Sequence, residues 1–506
     1  MFSKETINKL FYFTCIISCL VTIFLTSRFS YTWITDPDSA NSPIMWKEFL
    51  AHGFNAFNNW KPTFDNWYFT VYPINFLLFF IFNENGFVPL MLSSAIFIIA
   101  ICLCSSKIAD ILSGKTAAFA ALISITLISP DLYSNYYSHP FSHNSTNAFG
   151  FVVLAIYIIT LSSKKIIPAA SIFILLVLSG ASDPWILPSF TLPILISEAY
   201  NSFINRKSYK YFIFLLLAFL TSYLNLVQHL FDLPTGGFKI TTFEQMISNA
   251  QYAIVLTAKM MPLWVNPSAS MSYFIVFIWV AVFIAAALVC FNRGKELRIF
   301  SICCVLSVLG IYSSSIIGDQ FPHQRFYVNV APVVFLLTSV AIRFYKAFLI
   351  PIFITICVSV YGYCNSPLKY EENKNPVYEY MTFLSNNNLS YGYGSFWYSM
   401  NMTVNWLSKD QIHITPVFFN PETGVVYFQP ARVQTLSSWH TKEFISGKPN
   451  RQFIAITQGQ TGGDTCPNVQ ICIDGAQKQL GKADEILSYK NTTFLVYNKP
   501  IETDIK

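Results

Sequence analysis

The sequence predicts a polytopic α-helical membrane protein that carries a small C-terminal α/β domain. Of its 506 residues, 53% are hydrophobic and only 11% are charged, and the mean hydropathy is +0.45. Soluble domains carry about a quarter charged residues, so this composition excludes a cytosolic enzyme, a disordered chain and a nucleic-acid-binding protein. Apolar runs close to the about 20 residues that cross a bilayer recur up to residue 363 and then stop.

About eleven transmembrane helices are predicted from these apolar runs. They cover residues 10–27, 87–106, 116–129, 148–162, 166–180, 186–200, 211–229, 271–291, 299–317, 326–342 and 347–363. No charged residue falls in the middle of a predicted helix, which disfavours an ion-coupled transporter. Segment 67–82 is apolar as well, but a crossing there would reverse every later loop. We therefore interpret it as re-entrant or interfacial.

The charge pattern predicts the orientation. The first 363 residues carry 20 Lys or Arg and 14 Asp or Glu, whereas the last 143 carry 12 of each. Alternate short loops of the membrane part are basic. The positive-inside rule places these loops and the N-terminus in the cytoplasm, and the C-terminal tail outside it. The first helix lacks a small-residue cleavage site, so we expect an uncleaved anchor.

Two domains are expected. Residues 1–363 form the membrane domain, whose first outer loop spans residues 28–86, and residues 364–506 form the soluble domain. Strand-like runs at 453–457 and 492–497 in the tail occur together with helix-like runs, which favours an α/β fold.

Cys466 and Cys472 are the cysteines of the soluble domain that stand apart from the predicted helices and their ends. Five residues separate them, and in an oxidising compartment such a pair favours a local disulfide; two buried thiols are the alternative. The spacing matches no metal motif. No metal site is predicted, and a divalent cation is not indicated.

Two aspartates follow the first helix directly. Asp36 and Asp38 lie in the segment TDPDSAN, separated by Pro37. One carboxylate of such a pair can accept a proton while the other orients it or holds a cation. An ordinary Asp-Pro turn is the alternative. Asp65, in FDNWYF of the same loop, is a further candidate, although interfacial aromatic belts have similar sequences.

A short outer loop, GDQFPHQR at residues 318–325, contains an arginine where the charge pattern otherwise keeps cations inside. Arg325 could bind a phosphate through two parallel hydrogen bonds, and His323 lies beside it. A structural ion pair between Arg325 and Asp319 is the alternative.

Three other polar residues have weaker patterns. His139 and His143 are four residues apart, but the intervening Pro140 disfavours a helical metal-binding face, so an interfacial aromatic loop is expected. Asp183 lies in a tight turn and is expected to cap a helix. No nucleotide-binding, nucleophile-elbow or zinc motif is found.

In these features, taken together, the chain resembles the GT-C class of polyprenyl-phosphate-sugar glycosyltransferases. Members combine an uncleaved first helix, a long acidic first outer loop, many helices and a C-terminal outer domain. Segment 391–417, YGYGSFWYSMNMTVNWLSKDQIHITPV, is similar to one that follows the membrane part of many bacterial members. In size and organisation the chain most resembles the phage-encoded serotype-converting O-antigen glucosyltransferases of Shigella-type bacteria.

The resemblance implies a hexosyltransferase of the bacterial inner membrane, with its C-terminal domain in the periplasm. The implied reaction is inverting transfer of glucose from undecaprenyl-phosphate-glucose to a sugar hydroxyl of lipid-linked O-antigen. A flippase and a polyprenyl-phosphate-glucose synthase are the implied functional partners. No cofactor and no nucleic acid are implied.

The family's catalytic base falls on Asp36 or Asp38. The class often has two adjacent acids, whereas Pro37 separates them here, which leaves open which one acts. The leaving phosphate would be stabilised by positive or hydrogen-bond-donating side chains outside the membrane. These are Arg325, Lys61, Lys259 and His323.

Two other functions remain as alternatives. A transporter or flippase predicts internal repeats and buried charges, and neither is evident. An O-antigen polymerase usually relies on basic outer loops, whereas the predicted outer face holds ten acids and six bases.

Overall fold

The computed structural model describes residues 3–161, 166–204, 209–366, 375–409, 411–429, 431–459 and 465–503. The chain divides into two compact units. The helical unit consists of Met1–Phe29, Phe64–Ile74 and Met91–Leu368, and the tail unit consists of Ser30–Thr63, Asn75–Leu90 and Lys369–Lys506. The tail unit therefore includes two segments of the predicted first outer loop.

The helices, named in chain order, are α1 (Lys4–Phe29), α2 (Asn41–His52), α3 (Ala56–Asn59), α4 (Val71–Phe82), α5 (Phe87–Ser113), α6 (Lys115–Thr126), α7 (Pro130–Leu132), α8 (Asn144–Thr160), α9 (Ile166–Ser182), α10 (Leu192–Ile204), α11 (Lys210–Tyr223), α12 (Leu226–Leu230), α13 (Phe243–Met260), α14 (Ala269–Phe291), α15 (Lys295–Ile317), α16 (Val330–Ala341), α17 (Leu349–Asn365), α18 (Pro376–Asn386), α19 (Asn401–Leu407), α20 (Lys442–Ser446) and α21 (Val469–Leu480). The strands are β1 (Tyr391–Gly394), β2 (His413–Pro416), β3 (Phe418–Phe419), β4 (Val426–Tyr427), β5 (Gln452–Thr457), β6 (Glu485–Tyr489) and β7 (Thr492–Tyr497).

Each predicted span overlaps a helix of the structure, but fewer helices are long enough to cross a membrane. Within the described residues, six helices have the length and composition for a crossing. The number becomes seven if Lys115–Thr126 and Pro130–Tyr137, bent by 52°, form one span. Eleven crossings therefore stay a prediction. Segment 67–82, interpreted above as re-entrant or interfacial, contains α4. With 12 residues, this helix is shorter than a crossing requires.

One long helix of the helical unit was not predicted. Helix α13 occupies 18 residues between the predicted spans 211–229 and 271–291. The Thr242 side chain accepts a hydrogen bond from the Gln245 amide at 3.3 Å and so caps the helix. Glu244 in the first turn and Lys259 in the last turn have the charges that the helix dipole favours. The apolar face is interrupted by polar residues, which hid the helix from a search for long apolar runs.

The expectation that no charged residue lies in the middle of a helix is wrong for Glu198. This residue lies in the middle of α10 and is buried. Its carboxylate accepts hydrogen bonds from Tyr157 at 2.8 Å, Asn201 at 2.9 Å and Ser202 at 2.9 Å. Three donors compensate for the loss of water, so the buried carboxylate is satisfied within the helical unit.

Arg28, near the end of the first helix α1, forms hydrogen bonds with residues at the end of the last helix of the helical unit, α17. Its Nη2 donates to the carbonyl oxygens of Tyr363 at 2.6 Å and Ser366 at 2.7 Å, at the C-terminal end of α17. The side chain is only 7% exposed. Carbonyl groups at a helix C-terminus lack intrahelical donors and attract a cation. Arg28 therefore holds the last turn of α1 against the end of α17.

The tail unit is built around a five-stranded sheet of order β2-β1-β5-β7-β6. Strand β1 runs parallel to β2 and β5, whereas β7 is antiparallel to β5 and β6. All six residues of β5 are buried, as expected for a central strand covered on both faces. Alternate β5 residues enter two separate apolar clusters, Ile454 and Ile456 in one, Phe453 and Ala455 in the other.

The two faces of this sheet are covered by different helices. Helices α18 and α19 contribute Val377 and Val404 to the cluster that contains Phe453. Helix α21 contributes Cys472 to the other cluster, where the structure joins it to Cys466 in a disulfide. The spacing of the two cysteines had suggested this pairing.

Replacing Arg28 by Leu is expected to lower the melting temperature of the detergent-solubilised protein. Two carbonyl oxygens lose a charged donor, and hydrogen bonds to charged groups contribute about 1.5–3 kcal/mol each. Arg343→Leu, at an exposed arginine, is the control and should melt like the wild type. Fluorescence-detected size-exclusion chromatography after heating measures the difference. Equal melting of Arg28→Leu and the control would contradict the role assigned to Arg28.

Stability is expected to fall on mild acidification because of His413 at the start of β2. Burial lowers the pKa of His413 well below its usual value, and the nearby cations Lys448 and Lys47 lower that pKa further. Protonation is thus favoured in the unfolded chain. The stabilisation is complete above the unfolded pKa of about 6.5 and is lost as the pH falls below it.

His413→Phe should reduce this dependence, since the ring keeps its aromatic neighbours but cannot take a proton. Burial also lowers the pKa of His440, which retains the rest of the dependence. The melting temperatures of wild type and variant at pH 7.5 and pH 5.5 provide the measurement. His229→Phe, at an exposed histidine, serves as the control. A variant that loses as much stability on acidification as the wild type would show that His413 is not responsible.

Candidate functional site

The two aspartates after the first helix lie on a rigid turn of the tail unit. Residues Pro37–Ala40 form one turn of 3-10 helix, and Asp36 caps it by accepting a hydrogen bond from the Asp38 amide at 2.9 Å. The Ser39 hydroxyl donates to the Asp36 carbonyl oxygen at 2.7 Å. Proline at the first turn position presets its backbone angle. We call Asp36–Ala40 the aspartate turn. It has the Asp-Pro turn geometry considered from the sequence, and a catalytic role for either carboxylate stays a prediction.

A distant segment of the tail unit holds the second aspartate. The side-chain amide of Gln434 donates to Asp38 Oδ1 at 2.8 Å. Arg432 is buried, and its Nη1 donates to Gln434 Oε1 at 3.4 Å. The guanidinium carbon of Arg432 lies 3.5 Å from the centre of the Phe396 ring, a cation–π contact. A fixed donor and a nearby cation therefore orient the carboxylate of Asp38.

The aspartate turn also packs against α19. This helix and Phe396 both belong to segment 391–417, the part of the tail on which the family resemblance rests. In the tail unit, that segment therefore supports the aspartate turn directly and through Arg432.

Lys61 is fixed by the same distant segment. Its amide donates to the Thr435 carbonyl at 3.0 Å, and its carbonyl accepts from the Gln434 amide at 2.5 Å. Trp60 forms a β-bridge with Leu436 beside it. Asp38 and Lys61 thus both bind Gln434, one through its side chain and the other through its backbone.

The helical unit contains a separate polar cluster centred on a buried histidine–aspartate pair. His143 Nδ1 lies 2.6 Å from Asp183 Oδ2, and both side chains are buried. Asp183 also accepts hydrogen bonds from the Thr146 hydroxyl and, at 3.0 Å, from the Trp185 amide. Burial would raise the pKa of Asp183, but His143 and these donors outweigh it and lower that pKa. Asp183 does bond the backbone, as a cap would, but its main partner is His143.

Aromatic rings surround His143. The ring centres of Trp185, Phe326 and Trp67 lie 5.5, 5.3 and 6.0 Å from that of His143. Trp67 is held in place by its neighbour Asn66, whose side chain donates to the Ala181 carbonyl at 2.8 Å. Asp65 precedes this anchored pair, so the loop that carries it is fixed next to the histidine–aspartate pair.

The predicted phosphate-binding loop lies beside the same cluster, since Phe326 contacts His143 directly. His323 Nε2 lies 3.0 Å from the Tyr136 hydroxyl, and the side-chain amide of Gln324 donates to Asp131 Oδ2 at 2.7 Å. Arg325 Nε is buried and has no hydrogen-bond partner among the described residues. Within the same described part, Arg325 makes no ion pair with Asp319, the alternative considered from the sequence.

The candidate residues are thus distributed over both units. Asp36, Asp38 and Lys61 belong to the tail unit, whereas the other four belong to the helical unit. These four are Asp65, Lys259, His323 and Arg325. Lys259 is exposed near the end of α13, whereas the other three lie on loops around His143. Their proposed roles toward substrate stay predictions.

Sequence reasoning missed Gln434, Arg432 and the pairing of His143 with Asp183. Gln434 and Arg432 belong to no motif, and only their contacts reveal them. His143 and Asp183 were each noted but never joined, since 40 residues separate them. In the part of the chain that the structure describes, no group of three or more His, Cys, Asp or Glu side chains is arranged to hold a metal ion.

Comparison with known proteins supports the fold. No protein-family model matches the chain, and no curated protein matches it significantly. Among solved structures, ArnT from Cupriavidus metallidurans bound to undecaprenyl phosphate matches with a TM-score of 0.51 and 10% identity over 98% of both chains. An oligosaccharyltransferase from Archaeoglobus fulgidus, in complex with zinc and sulfate, matches with a TM-score of 0.43 and 12% identity over 87% of this chain and 67% of its own.

The chain therefore has an ArnT-like fold along nearly its whole length. Together with the apolar helices, this likeness confirms the predicted polytopic helical fold. At its lower TM-score the second match adds nothing to this assignment.

Proposed function

We propose that the chain is a glycosyltransferase that moves a sugar from a polyprenyl-phosphate carrier to a glycan hydroxyl outside the cytoplasm. The observation that carries the proposal is the aspartate turn, which follows α1 directly in a chain of ArnT-like fold. The ArnT structure contains bound undecaprenyl phosphate, which supports a donor of this kind. A carboxylate held by Gln434 at such a place is suited to accept a proton.

The finer proposal follows the family resemblance. The donor is undecaprenyl-phosphate-glucose, and the acceptor is a sugar hydroxyl of lipid-linked O-antigen, modified as in phage-encoded serotype conversion. The enzyme lies in the bacterial inner membrane with a cytoplasmic N-terminus and a periplasmic tail. A flippase and a polyprenyl-phosphate-glucose synthase supply the donor on the correct side.

The proposed reaction is a single displacement. The acceptor hydroxyl oxygen attacks the anomeric carbon while Asp36 or Asp38 accepts its proton. The bond between that carbon and the phosphate oxygen breaks, and undecaprenyl phosphate leaves with the electron pair. Attack opposite the phosphate inverts the anomeric centre, so that a β-linked donor gives an α-glucoside.

The two aspartates are suited to this role in different ways. Asp36 already uses Oδ1 to cap its own turn, whereas Asp38 is oriented from outside the turn by Gln434. Negative charge develops on the departing phosphate and favours positive side chains near it. Arg325, Lys61, Lys259 and His323 are the residues proposed for this task.

Neutralising the aspartates is expected to abolish transfer without unfolding the protein. Mass spectrometry of lipopolysaccharide from an O-antigen strain that makes and flips the glucose donor should show one added hexose per repeat. Asp38→Asn or Asp36→Asn should reduce the modified fraction by about 100-fold or more, the size of a lost general base. Asp232→Asn, at an exposed aspartate, is the matched control.

If both aspartate variants still modify every repeat, another residue is the catalytic base, and Asp65 would be tested next. An unmodified repeat in the wild-type strain, despite good membrane expression, would remove the O-antigen proposal. A transporter or polymerase would then become the leading alternative.

Arg325→Gln is expected to weaken donor binding. Loss of one charge-assisted contact to a phosphate costs about 1.5–3 kcal/mol, equivalent to roughly 10- to 100-fold in affinity. Titration of purified protein with undecaprenyl phosphate, followed by native mass spectrometry, measures the change. Arg325→Lys keeps the charge but not the planar fork and should recover only part of the affinity. Unchanged affinity of the Gln variant would assign the phosphate to other residues.

A further inference from the structure

A large cavity lies within the tail unit. It measures about 1130 Å³ and is lined by residues of α2, the end of α4, α19, the start of β2 and the segment 436–448. Small-molecule pockets typically measure about 300–1,000 Å³, so this cavity offers room for several linked rings. Asp36 and Asp38 are not among its lining residues.

Three tryptophans line the cavity, and each is fixed by its surroundings. Trp46 is half-buried, with the Phe76 ring centre 5.0 Å away. The indole nitrogen of Trp406 donates to the Asn85 carbonyl at 2.8 Å. Trp439 meets the ring of His413 edge to face at 4.6 Å. Fixed indole rings offer flat apolar surfaces at little entropic cost, which suits the C–H faces of sugar rings.

Polar groups of the lining form a connected wall. Asn59 donates to Glu48 Oε1 at 2.7 Å and to the Ser438 hydroxyl at 2.9 Å, and it accepts from the Ser438 amide at 2.9 Å. His52 and Asn55, both exposed, lie farther along the lining. Amide groups, which both donate and accept, and carboxylates, which accept, are the usual partners of neighbouring hydroxyl groups.

His413 contributes a further polar atom to the cavity wall. Its Nε2 is buried and lacks a hydrogen-bond partner within the described residues. A buried nitrogen of this kind is costly unless a ligand or water completes its bond. A sugar hydroxyl in the cavity would supply that partner.

The charges of the lining favour a neutral ligand over a polyanion. Lys47, Lys409 and Lys448 carry positive charge, while Glu48 and Glu84 carry negative charge. The two signs nearly cancel. A site for a diphosphate would instead gather cations, with arginine favoured for its planar fork, and the lining contains no arginine among the described residues.

We propose that this cavity binds an oligosaccharide of several rings, stacked on Trp46, Trp406 and Trp439 and hydrogen-bonded by Glu48, Asn55 and Asn59. This inference rests on the proposed function and assigns the enzyme a polymeric acceptor. The cavity binds sugar units of the acceptor other than the one that receives the new sugar. Longer acceptors would therefore bind more tightly than a single repeat.

The test is direct binding, independent of transfer. Oligosaccharides of one to four repeats, released from the strain's O-polysaccharide by mild acid, are titrated into the detergent-solubilised protein by calorimetry. Wild type should bind the longer fragments at least 10-fold more tightly than the single repeat. Trp46→Leu and Asn55→Ala should each weaken binding of the longer fragments by 10-fold or more. Asn58→Ala, an exposed neighbour of Asn55 that does not line the cavity, should bind as the wild type does.

Several results would overturn the proposal. These are no saturable binding, equal affinity for all lengths, or equal affinity of the Trp46 and Asn55 variants and wild type. Saturable binding of inorganic pyrophosphate that Lys409→Ala abolishes would assign the cavity to an anionic group instead. Circular dichroism verifies that the variants are folded.

Failure of this inference is distinguishable from failure of the proposed function. Oligosaccharide binding without any added hexose in lipopolysaccharide would keep the cavity site and remove the transferase. Added hexose with unchanged binding in the cavity variants would keep the transferase and remove the cavity site.

Discussion

The pairing of residues 59–61 with residues 434–438 is the interaction on which the tail unit depends. Lys61 exchanges backbone hydrogen bonds with Gln434 and Thr435, and Asn59 is bonded to Ser438, a partner 379 residues later in the chain. Contacts of such sequence separation must offset the entropy lost when a long loop is closed. Residues 59–61 of the first outer loop are therefore held in place by the tail and not by their own sequence alone.

This dependence explains how the aspartate turn can be both a turn and a candidate site. Its local sequence is enough to make a 3-10 turn, since Asp36 caps it and Pro37 fixes its first residue. The orientation of the Asp38 carboxylate, however, comes from Gln434. A general base must lie within hydrogen-bond reach of its proton, and a shift of about 1 Å can cost about 100-fold in rate. Substitutions in the tail that move the Asp38 carboxylate would then lower the rate, even though they remove no group that takes part in the reaction.

Sequence reasoning succeeded where the signal is local and failed where it is not. Apolar runs locate the helices, and the spacing of Cys466 and Cys472 suggests their disulfide, because both patterns lie within one short window. Helix α13 was missed because its apolar residues alternate with polar ones. The cavity, with Trp46 and Trp439, and the contact of Gln434 with Asp38 join segments hundreds of residues apart, and no single window contains them. The number of crossings also stays open, since length and apolarity do not distinguish a short spanning helix from a buried one.

A fold kept at 10% identity leaves nearly every side chain free to differ, so substrate choice resides in particular residues. A site discriminates strongly among sugars only when the wrong one leaves buried polar groups unpaired. In the tail unit, Glu48 and Asn59 are already bonded to each other, and a ligand must match or replace that bond. His413 Nε2 differs in lacking a partner, so a hydroxyl placed there adds a bond without breaking one. Among the cavity's polar groups, His413 is therefore expected to contribute most to the binding of a ligand whose hydroxyl group lies next to it.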